Sequence, residues 1–264
     1  MYAFTLDRPA SLAEALQSMA SGAQVLAGGQ TLLPSMKMRL SQPGHIADLG
    51  GVKELAGIEP NGKAVVIGAM TRHMDVASSN TVKSMIPALA DLASHIGDRQ
   101  VRAMGTLGGS VANNDPAACY PSAVLALDAT VHTTQRKIAA TDFFQGMYAT
   151  ALESGELITA ISFPIPAKAV YLKFLQPASR FALVGVFVAK TSGGVRVAVT
   201  GASSGGVFRH AGLEAALTQS FTPAAAAAVR VDASDLNTDL HASADYRAHL
   251  IGVLTQRALQ QLGA

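Results

Sequence analysis

Residues 25–40, VLAGGQTLLPSMKMRL, restrict the fold of this chain more than any other stretch. A short apolar segment ends at Gly28 and Gly29, and a segment of helical character follows. Because glycine has no Cβ atom, backbone N–H groups in such a turn can converge on a phosphate, and the start of the next helix adds partial positive charge. The spacing is not the G-x-G-x-x-G of a Rossmann site. The stretch therefore predicts either an anion-binding turn or an ordinary tight turn between a strand and a helix.

A second glycine-rich segment, GTLGGS at residues 105–110, lies about eighty residues further along the chain. It also allows a ligand to approach the backbone closely, and Thr106 and Ser110 add hydroxyl groups. Two such segments suit a long ligand with two ends, such as a dinucleotide held between two subdomains. Asp115 and Pro116 follow, and we interpret them as the N-cap and first residue of another helix, not as ligands.

The composition indicates a compact globular protein. Of the 264 residues, 49% are hydrophobic and 14% are charged, which is enough to build two domains or one with an appendage. Twenty Lys and Arg against 18 Asp and Glu leave little net field, which argues against nucleic acid or an anionic membrane as the main partner. We find neither a signal peptide nor an apolar run of the roughly 18 residues that a membrane helix needs. We therefore expect a cytoplasmic protein without a membrane span.

The single cysteine, Cys119, limits what the chain can hold by itself. It excludes an intrachain disulfide, and it excludes an iron–sulfur cluster bound by this chain alone, because such clusters need a set of thiolate ligands. The seven histidines never fall at the i,i+3 or i,i+4 spacing of a helical metal site. We therefore expect no metal ion on this chain.

The order of predicted elements divides the chain into three parts. Residues 1–55 form a small unit with a strand in YAFT, a helix opened by the capping box SLAE, and a buried strand in AQVLAG. Residues 56–166 begin with a hairpin at PNG and close with the strand LITAISFPIP. Residues 167–264 place three strands before several helices, which is the α+β pattern. We expect this last part to be a three-stranded antiparallel sheet with a helix bundle.

Two shorter motif matches are better explained as turns. Residues 57–64, GIEPNGKA, resemble a phosphate loop, but Ala64 stands where a magnesium-binding Ser or Thr is required and a strand follows. Residues 201–205, GASSG, fit the nucleophile elbow of a hydrolase with Ser203 as the nucleophile. No HGGG-like segment precedes them, so we interpret them as a turn that caps the next helix.

The two glycine segments belong to a longer set of motifs. VLAGGQTLLPSMKMRL and IGDRQVRAMGTLGGSVANNDPAACYP together closely resemble the FAD-binding medium subunit of the xanthine dehydrogenase and carbon monoxide dehydrogenase family, the molybdenum hydroxylases. GD at 97–98, QVR at 100–102, GTLGG at 105–109 and DPAA at 115–118 stand in the order of this family. The likeness continues through YRAHLIGVLTQRAL and so covers essentially the whole chain.

The resemblance implies a two-subdomain FAD-binding fold of the vanillyl-alcohol-oxidase (PCMH) type, followed by a small C-terminal α+β domain. It implies that residues 27–32 wrap the FAD pyrophosphate, that residues 106–110 make a second contact, and that Asn113 lies near the phosphate or ribityl chain. Lys173 matches a family lysine near the flavin, and Cys119 stands where the family often has an acidic residue. The residues implied in FAD binding are Ala27, Gly28, Gly29, Gln30, Thr31, Leu32, Thr106, Leu107, Gly108, Gly109, Ser110, Asn113, Cys119 and Lys173.

The same resemblance implies partners and a route for electrons. A small subunit with [2Fe–2S] clusters and a large subunit with a molybdenum–pterin cofactor would join this chain in a dimer of heterotrimers. Electrons would pass from substrate to molybdenum, through the clusters to FAD, and out to an external acceptor. Because the cofactors carry that chemistry, we expect no catalytic side chain here. The substrate (a purine, an N-heteroaromatic, an aldehyde or carbon monoxide) and the acceptor stay open.

Three other functions stay open from the sequence. The first is a self-contained flavin oxidase of the same fold, although the C-terminal part is short and no His or Cys motif suggests covalent flavin attachment. The second is a hydrolase that uses Ser203. The third is a non-catalytic assembly role, in which Cys119 marks a site that has been lost.

Overall fold

The computed structural model describes all 264 residues, Met1–Ala264. The first part of the chain forms a parallel three-stranded sheet whose middle strand is the last in sequence. Two short 3-10 turns, Leu49–Gly51 and Lys53–Leu55, lead out of it. Its elements are β1 Thr5–Asp7, α1 Leu12–Ala20, β2 Gln24–Leu26, α2 Leu32–Lys37 and β3 His45–Asp48.

The second part is an antiparallel five-stranded sheet with helices inserted between its second and third strands in sequence. The strand order is β4-β5-β10-β6-β7, and β8 pairs with β9 in a separate ribbon. The elements are β4 Ile58–Asn61, β5 Ala64–Gly68, α3 His73–Ser78, α4 Asn80–Met85, α5 Pro87–Ser94, α6 Arg99–Met104, α7 Leu107–Asn113, α8 Tyr120–Ala126, β6 Thr130–Thr133, β7 Lys137–Ala139, α9 Ala140–Phe143, β8 Phe144–Gly146, β9 Ala149–Thr150 and β10 Ile158–Pro164.

The third part is an antiparallel sheet of four consecutive strands followed by helices. The second strand is buried at every position from 182 to 189, because the sheet packs against α5 and α8 of the preceding part on one side and against the last helix on the other. Burial on both faces explains why FALVGVFVA reads as a continuous apolar run. The elements are β11 Lys168–Leu175, β12 Ala182–Thr191, β13 Gly194–Thr200, β14 Phe208–Arg209, α10 Ala211–Gln219, α11 Pro223–Ala227 and α12 Ala244–Gln261.

Several predicted elements differ in detail from the structure. The first strand begins only at Thr5, the last residue of YAFT, and runs on to Asp7, and the three predicted C-terminal strands gain the two-residue β14 as a fourth. Strand β2 was expected to be buried, yet Val25 and Leu26 are only half-buried, because they line a cleft described below. The predicted hairpin is present, and Asn61 pairs with Ala64 across its turn.

The capping box that predicts α1 is present in a modified form. The Ser11 hydroxyl accepts the Glu14 N–H at 3.2 Å, as expected of an N-cap. The Glu14 carboxylate accepts the N–H of Ala10 at 2.8 Å, one residue earlier than in the standard box. Both interactions fix the residue at which α1 begins.

The boundaries at residues 55 and 166 stay a prediction. One hydrophobic core joins the second and third parts, because Tyr171 and Phe187 of the C-terminal sheet pack with Phe163 and Leu92 of the preceding part. A separate core lies between the C-terminal sheet and its own helices. None of the helices combines the length and apolar character needed to cross a bilayer.

Candidate cofactor-binding cleft

All three parts of the chain contribute to one cleft with a volume of about 670 Å³. That volume lies within the roughly 300–1,000 Å³ typical of ligand sites. The lining residues fall in stretches that are distant in sequence but adjacent in space. They include residues 24–32 of the first part, 96–98, 105–106, 108–110, 112–113 and 117–119 of the second, and 173 and 178–181 of the third.

The first glycine segment exposes a row of unpaired backbone donors to this cleft. None of the N–H groups of residues 27–32 donates to an acceptor within the protein. Gly29 has φ +71°, a conformation that suits glycine, and the Gln30 side-chain amide donates to the Gly28 carbonyl at 2.9 Å. Successive N–H groups at such a turn form a concave anion site. We call the row of N–H groups at residues 27–32 the backbone cradle, and it is the feature of the structure that best fits a diphosphate.

The two glycine segments touch each other, although they lie about eighty residues apart in the sequence. A Cβ atom at Gly28 would lie 2.6 Å from the Cα of Gly105 and would overlap the Met104 carbonyl oxygen. A Cβ at Gly109 would lie 3.3 Å from the Cβ of Ala27. The glycines therefore let two backbone segments meet, and together they form one continuous wall of the cleft.

The second glycine segment has little free hydrogen-bonding capacity along its backbone. The Gly108 N–H donates to the Ala69 carbonyl at 2.8 Å, and the Gly109 N–H donates to the Thr106 hydroxyl at 3.2 Å, which caps α7. The Leu107 N–H donates to Thr71, and the Leu107 side chain is fully buried in the core. Leu107 is the one predicted site residue that does not line the cleft.

The free polar groups of α7 are side chains that follow the glycines. Ser110 and Asn113 line the cleft, and neither side chain has a hydrogen-bond partner in the protein. A hydroxyl and an amide in these positions can each donate to a phosphate or sugar oxygen. The second segment thus supplies side-chain donors next to the backbone donors of residues 27–32.

The stretch GDRQVR, residues 97–102, builds the turn that precedes the second glycine segment. The Asp98 carboxylate accepts the Val101 N–H at 2.8 Å and so caps α6. The Arg102 guanidinium donates to the carbonyls of Ile96 and Gly97, both at 3.0 Å. Residues 96–98 therefore form a rigid edge of the cleft, and the Asp98 and Arg102 side chains stabilise that edge.

Lys173 lines the cleft, and its ammonium group is held by other groups of the protein. Its ammonium group donates to the His95 carbonyl at 2.6 Å and to the Arg180 carbonyl at 2.9 Å, and it lies 3.5 Å from the Cys119 sulfur. These three contacts use its three donors. Lys173 therefore ties the turn between β11 and β12 to the second part of the chain, and Cys119, buried at the start of α8, lies beside it in the cleft wall.

Asp115 is not the helix cap that the sequence predicts. Its carboxylate accepts the Ala117 N–H at 2.8 Å within a local turn, and helix α8 begins only at Tyr120. The Pro116 carbonyl accepts the Thr200 hydroxyl at 2.8 Å, which ties this turn to the C-terminal sheet. Residues 115–118 therefore form a separate turn before α8.

His73 also lines the cleft, although no sequence pattern indicates it as a site residue. Burial, with a contribution from Arg102, lowers its pKa from 6.5 to about 4, so it is neutral at physiological pH. Its ring lies 5.3 Å from that of Tyr120, and both its Nδ1 atom and the Tyr120 hydroxyl are buried without a partner. A lone histidine at the start of a short helix carries no sequence pattern that marks it as part of a site.

The two shorter motifs do not form sites. Residues 57–64 comprise strand β4 and its turn into β5, so the match is part of a hairpin, as interpreted from the sequence. The Ser203 hydroxyl accepts the Gly205 N–H at 3.1 Å and has no histidine partner, so the arrangement of a hydrolase nucleophile is missing.

The fold and the cleft define a class of flavin-binding protein, and comparison with known proteins identifies it. Residues 2–166 match the family model described as the FAD binding domain in molybdopterin dehydrogenase. This match covers more than half of the chain, and the chain belongs to that family. It is therefore the FAD-binding component of an oxidoreductase, and the predicted family and α+β fold are confirmed.

Relatives match nearly the whole chain. The carbon monoxide dehydrogenase medium chain of Hydrogenophaga pseudoflava is 35% identical over 97% of this chain and 96% of its own length. The nicotine 6-hydroxylase medium subunit of Paenarthrobacter nicotinovorans is 36% identical, again over 97% and 96%. The structure of quinoline 2-oxidoreductase from Pseudomonas putida 86 superposes with a TM-score of 0.89 at 31% identity, over 99% of this chain and 97% of the other.

Proposed function

We propose that this chain is the FAD-binding electron-transfer subunit of a heteromeric molybdenum hydroxylase. It would receive electrons from [2Fe–2S] clusters on a partner subunit and pass them through FAD to an external acceptor. The observation that carries the proposal is the row of free N–H groups at residues 27–32 in a cleft of suitable volume, in a chain of this family. FAD supplies the redox chemistry when it is bound.

The backbone cradle gives FAD binding a physical basis. The diphosphate bridge carries negative charge, and backbone N–H groups that point into a cleft stabilise it through charge-assisted hydrogen bonds. Gly28 and Gly109 keep the cradle in contact with the second glycine segment. Ser110 and Asn113 are placed to donate to the phosphate or sugar oxygens, while Thr106 acts mainly by capping α7.

Other predicted residues have supporting roles in this proposal. Lys173 holds the β11–β12 turn against the cleft, and Cys119 forms part of the wall beside it. His73 stays neutral and adds no charge next to the cofactor. Glu156 lines the cleft but is paired with Arg136 at 3.1 Å, so its charge is already compensated.

The partner subunits are inferred from the single cysteine of this chain and from the names of its relatives. One cysteine does not hold an iron–sulfur cluster, so an electron donor of that kind lies on another chain. Two relatives are named as a medium chain and a medium subunit, which are names for parts of larger assemblies. We infer a small iron–sulfur subunit, a large molybdenum subunit and a dimer of heterotrimers in the cytoplasm.

Affinity purification of the tagged chain from cells that express it tests this assignment. We expect FAD, iron and molybdenum in a fixed ratio, and we expect the FAD to be bleached when the substrate of the complex is added. A purified complex without FAD would contradict the proposal. Oxidation of an alcohol by the isolated FAD-loaded chain would instead favour the self-contained flavin oxidase.

A further inference from the structure

Arg180 carries a charge in the cleft wall that no other group in the protein compensates. It lies in the turn between β11 and β12, within the wall that residues 178–181 contribute. The Arg180 side chain is exposed and has no hydrogen-bond partner. It forms no ion pair with a carboxylate, unlike four other arginines of the chain. The four paired arginines are Arg136, Arg196, Arg209 and Arg247.

The backbone of Arg180 is held in an unfavourable conformation. Its φ is +63°, in the left-handed region that non-glycine residues rarely adopt. Two hydrogen bonds fix it there: its N–H donates to the Gln176 carbonyl at 2.8 Å, and its carbonyl accepts from Lys173 at 2.9 Å. Such strain persists only where the surroundings impose it, and it collects at functional sites. The direction in which the Arg180 side chain leaves the backbone is therefore fixed.

The other ionised groups around the cleft are already engaged. Asp98 caps α6, and Asp115 accepts an N–H of its own turn and the Tyr148 hydroxyl. Glu156 is paired with an arginine outside the cleft, and Lys173 donates to backbone carbonyls. Arg180 is consequently the ionised side chain of the cleft wall that has no hydrogen-bond partner and is free to pair directly with an anion that enters the cleft.

We propose that Arg180 is a specificity-determining residue for the electron acceptor, favouring acceptors that carry negative charge over neutral ones. This inference rests on the proposed function, because it concerns how reduced FAD in this cleft is reoxidised. A phosphate-bearing nicotinamide dinucleotide is one acceptor of this chemical class. A nearby guanidinium raises the local concentration of such an anion and accelerates encounter, as charged clefts do in general.

Two acceptors of different charge separate this effect from the chemistry itself. Fully reduced FAD releases two electrons and two protons. With ferricyanide, two ions each accept one electron, and both protons go to solvent. With benzoquinone, one neutral molecule accepts both electrons and both protons and becomes hydroquinone.

The experiment uses the full chain loaded with FAD, reduced by light in the presence of EDTA and mixed with either acceptor in a stopped-flow instrument. In Arg180→Asn the charge is lost, while asparagine tolerates the left-handed backbone. We expect reoxidation by ferricyanide to slow about tenfold at low ionic strength, with benzoquinone unchanged, and the difference to vanish near 0.5 M salt. Arg180→Lys should keep most of the wild-type rate. Arg257→Gln, an exposed arginine of α12 outside the cleft, is the matched control.

A second measurement does not depend on turnover. Iodide and acrylamide both quench flavin fluorescence, but only iodide is charged. We expect Arg180→Asn to reduce quenching of bound FAD by iodide and to leave quenching by acrylamide unchanged.

The outcomes distinguish the two proposals. If the wild-type chain binds no FAD, the proposed function fails. If FAD binds and the ratio of the ferricyanide and benzoquinone rates is the same in Arg180→Asn as in wild type, only the role of Arg180 is overturned. A loss of FAD affinity without a change in that ratio would make Arg180 a cofactor ligand and would also overturn the inference.

Discussion

Gly28→Ala perturbs the contact between the two glycine segments most directly. The added Cβ would lie 2.6 Å from the Cα of Gly105, and it would overlap the Met104 carbonyl oxygen. Ordinary contacts of this kind are about 1 Å longer, so the two segments must separate by roughly that amount. Neither neighbour is the flexible end of a side chain, so the structure has no local way to absorb the change.

The expected magnitudes follow from that displacement. Overpacking of this kind costs about 1–3 kcal/mol of folding free energy. A shift of the cradle that breaks even one charge-assisted hydrogen bond costs about 1.5–3 kcal/mol, or roughly a 10- to 100-fold loss in FAD affinity. Urea unfolding of the apoprotein measures the first quantity, and titration of FAD by fluorescence measures the second.

Gly44→Ala is the matched control, because a Cβ at Gly44 meets no atom within 4 Å. It makes the same chemical change in the same part of the chain and should leave both measurements unchanged. If Gly28→Ala folds and binds FAD as tightly as Gly44→Ala does, the contact between the glycine segments does not shape the cofactor site, and our account of the glycines is wrong.

Three further substitutions test other parts of the cleft. The pKa of His73 is about 4 in the folded chain, below its ordinary 6.5, so between these pH values the unfolded chain binds a proton that the folded chain does not. The free energy of unfolding should therefore fall by about 3 kcal/mol as the pH drops from 6.5 to 4. His73→Gln should remove that part of the pH dependence in urea titrations. Thr106→Ala removes the cap on the Gly109 N–H and should cost about 1 kcal/mol in thermal unfolding, whereas Thr106→Ser should not. Glu156→Ala removes a buried carboxylate that accepts from Arg136, from the Thr133 hydroxyl and from the Glu153 N–H, and it should destabilise the chain by about 1–3 kcal/mol; a change below about 0.5 kcal/mol would show that the pair is unimportant.

Helices and strands that carry a strong local sequence signal can be predicted from the sequence. Ser11 and Glu14 mark the start of α1, and the apolar alternation and turn residues mark the strands of the C-terminal sheet. The motif residues at 27–32 and 108–110 line one cleft, and each glycine turn adjoins a strand or a helix that its own sequence predicts. Whether they bind FAD in the way implied stays a prediction.

Features that depend on distant contacts could not be predicted from local pattern. Gly28 and Gly105 lie far apart in sequence but are in contact in the structure. The glycines whose pattern predicts ligand binding are therefore partly explained by this contact between two backbone segments. Lys173 donates to the carbonyls of His95 and Arg180, which belong to two other segments of the chain. The residues of its own strand give no indication of these partners. Asp115 followed by proline is typical of a helix start, but its carboxylate caps only a local turn, and the neighbouring Pro116 carbonyl accepts the Thr200 hydroxyl of the distant β13.

Hydrogen–deuterium exchange of the amides at residues 27–32 tests most directly whether this backbone holds the cofactor diphosphate. These N–H groups have no acceptor within the protein, so they should exchange rapidly in the apoprotein. We predict strong protection of this segment when FAD is added and little protection with riboflavin, which has the same ring but no phosphate. Equal protection by both compounds, or none by FAD, would contradict the account.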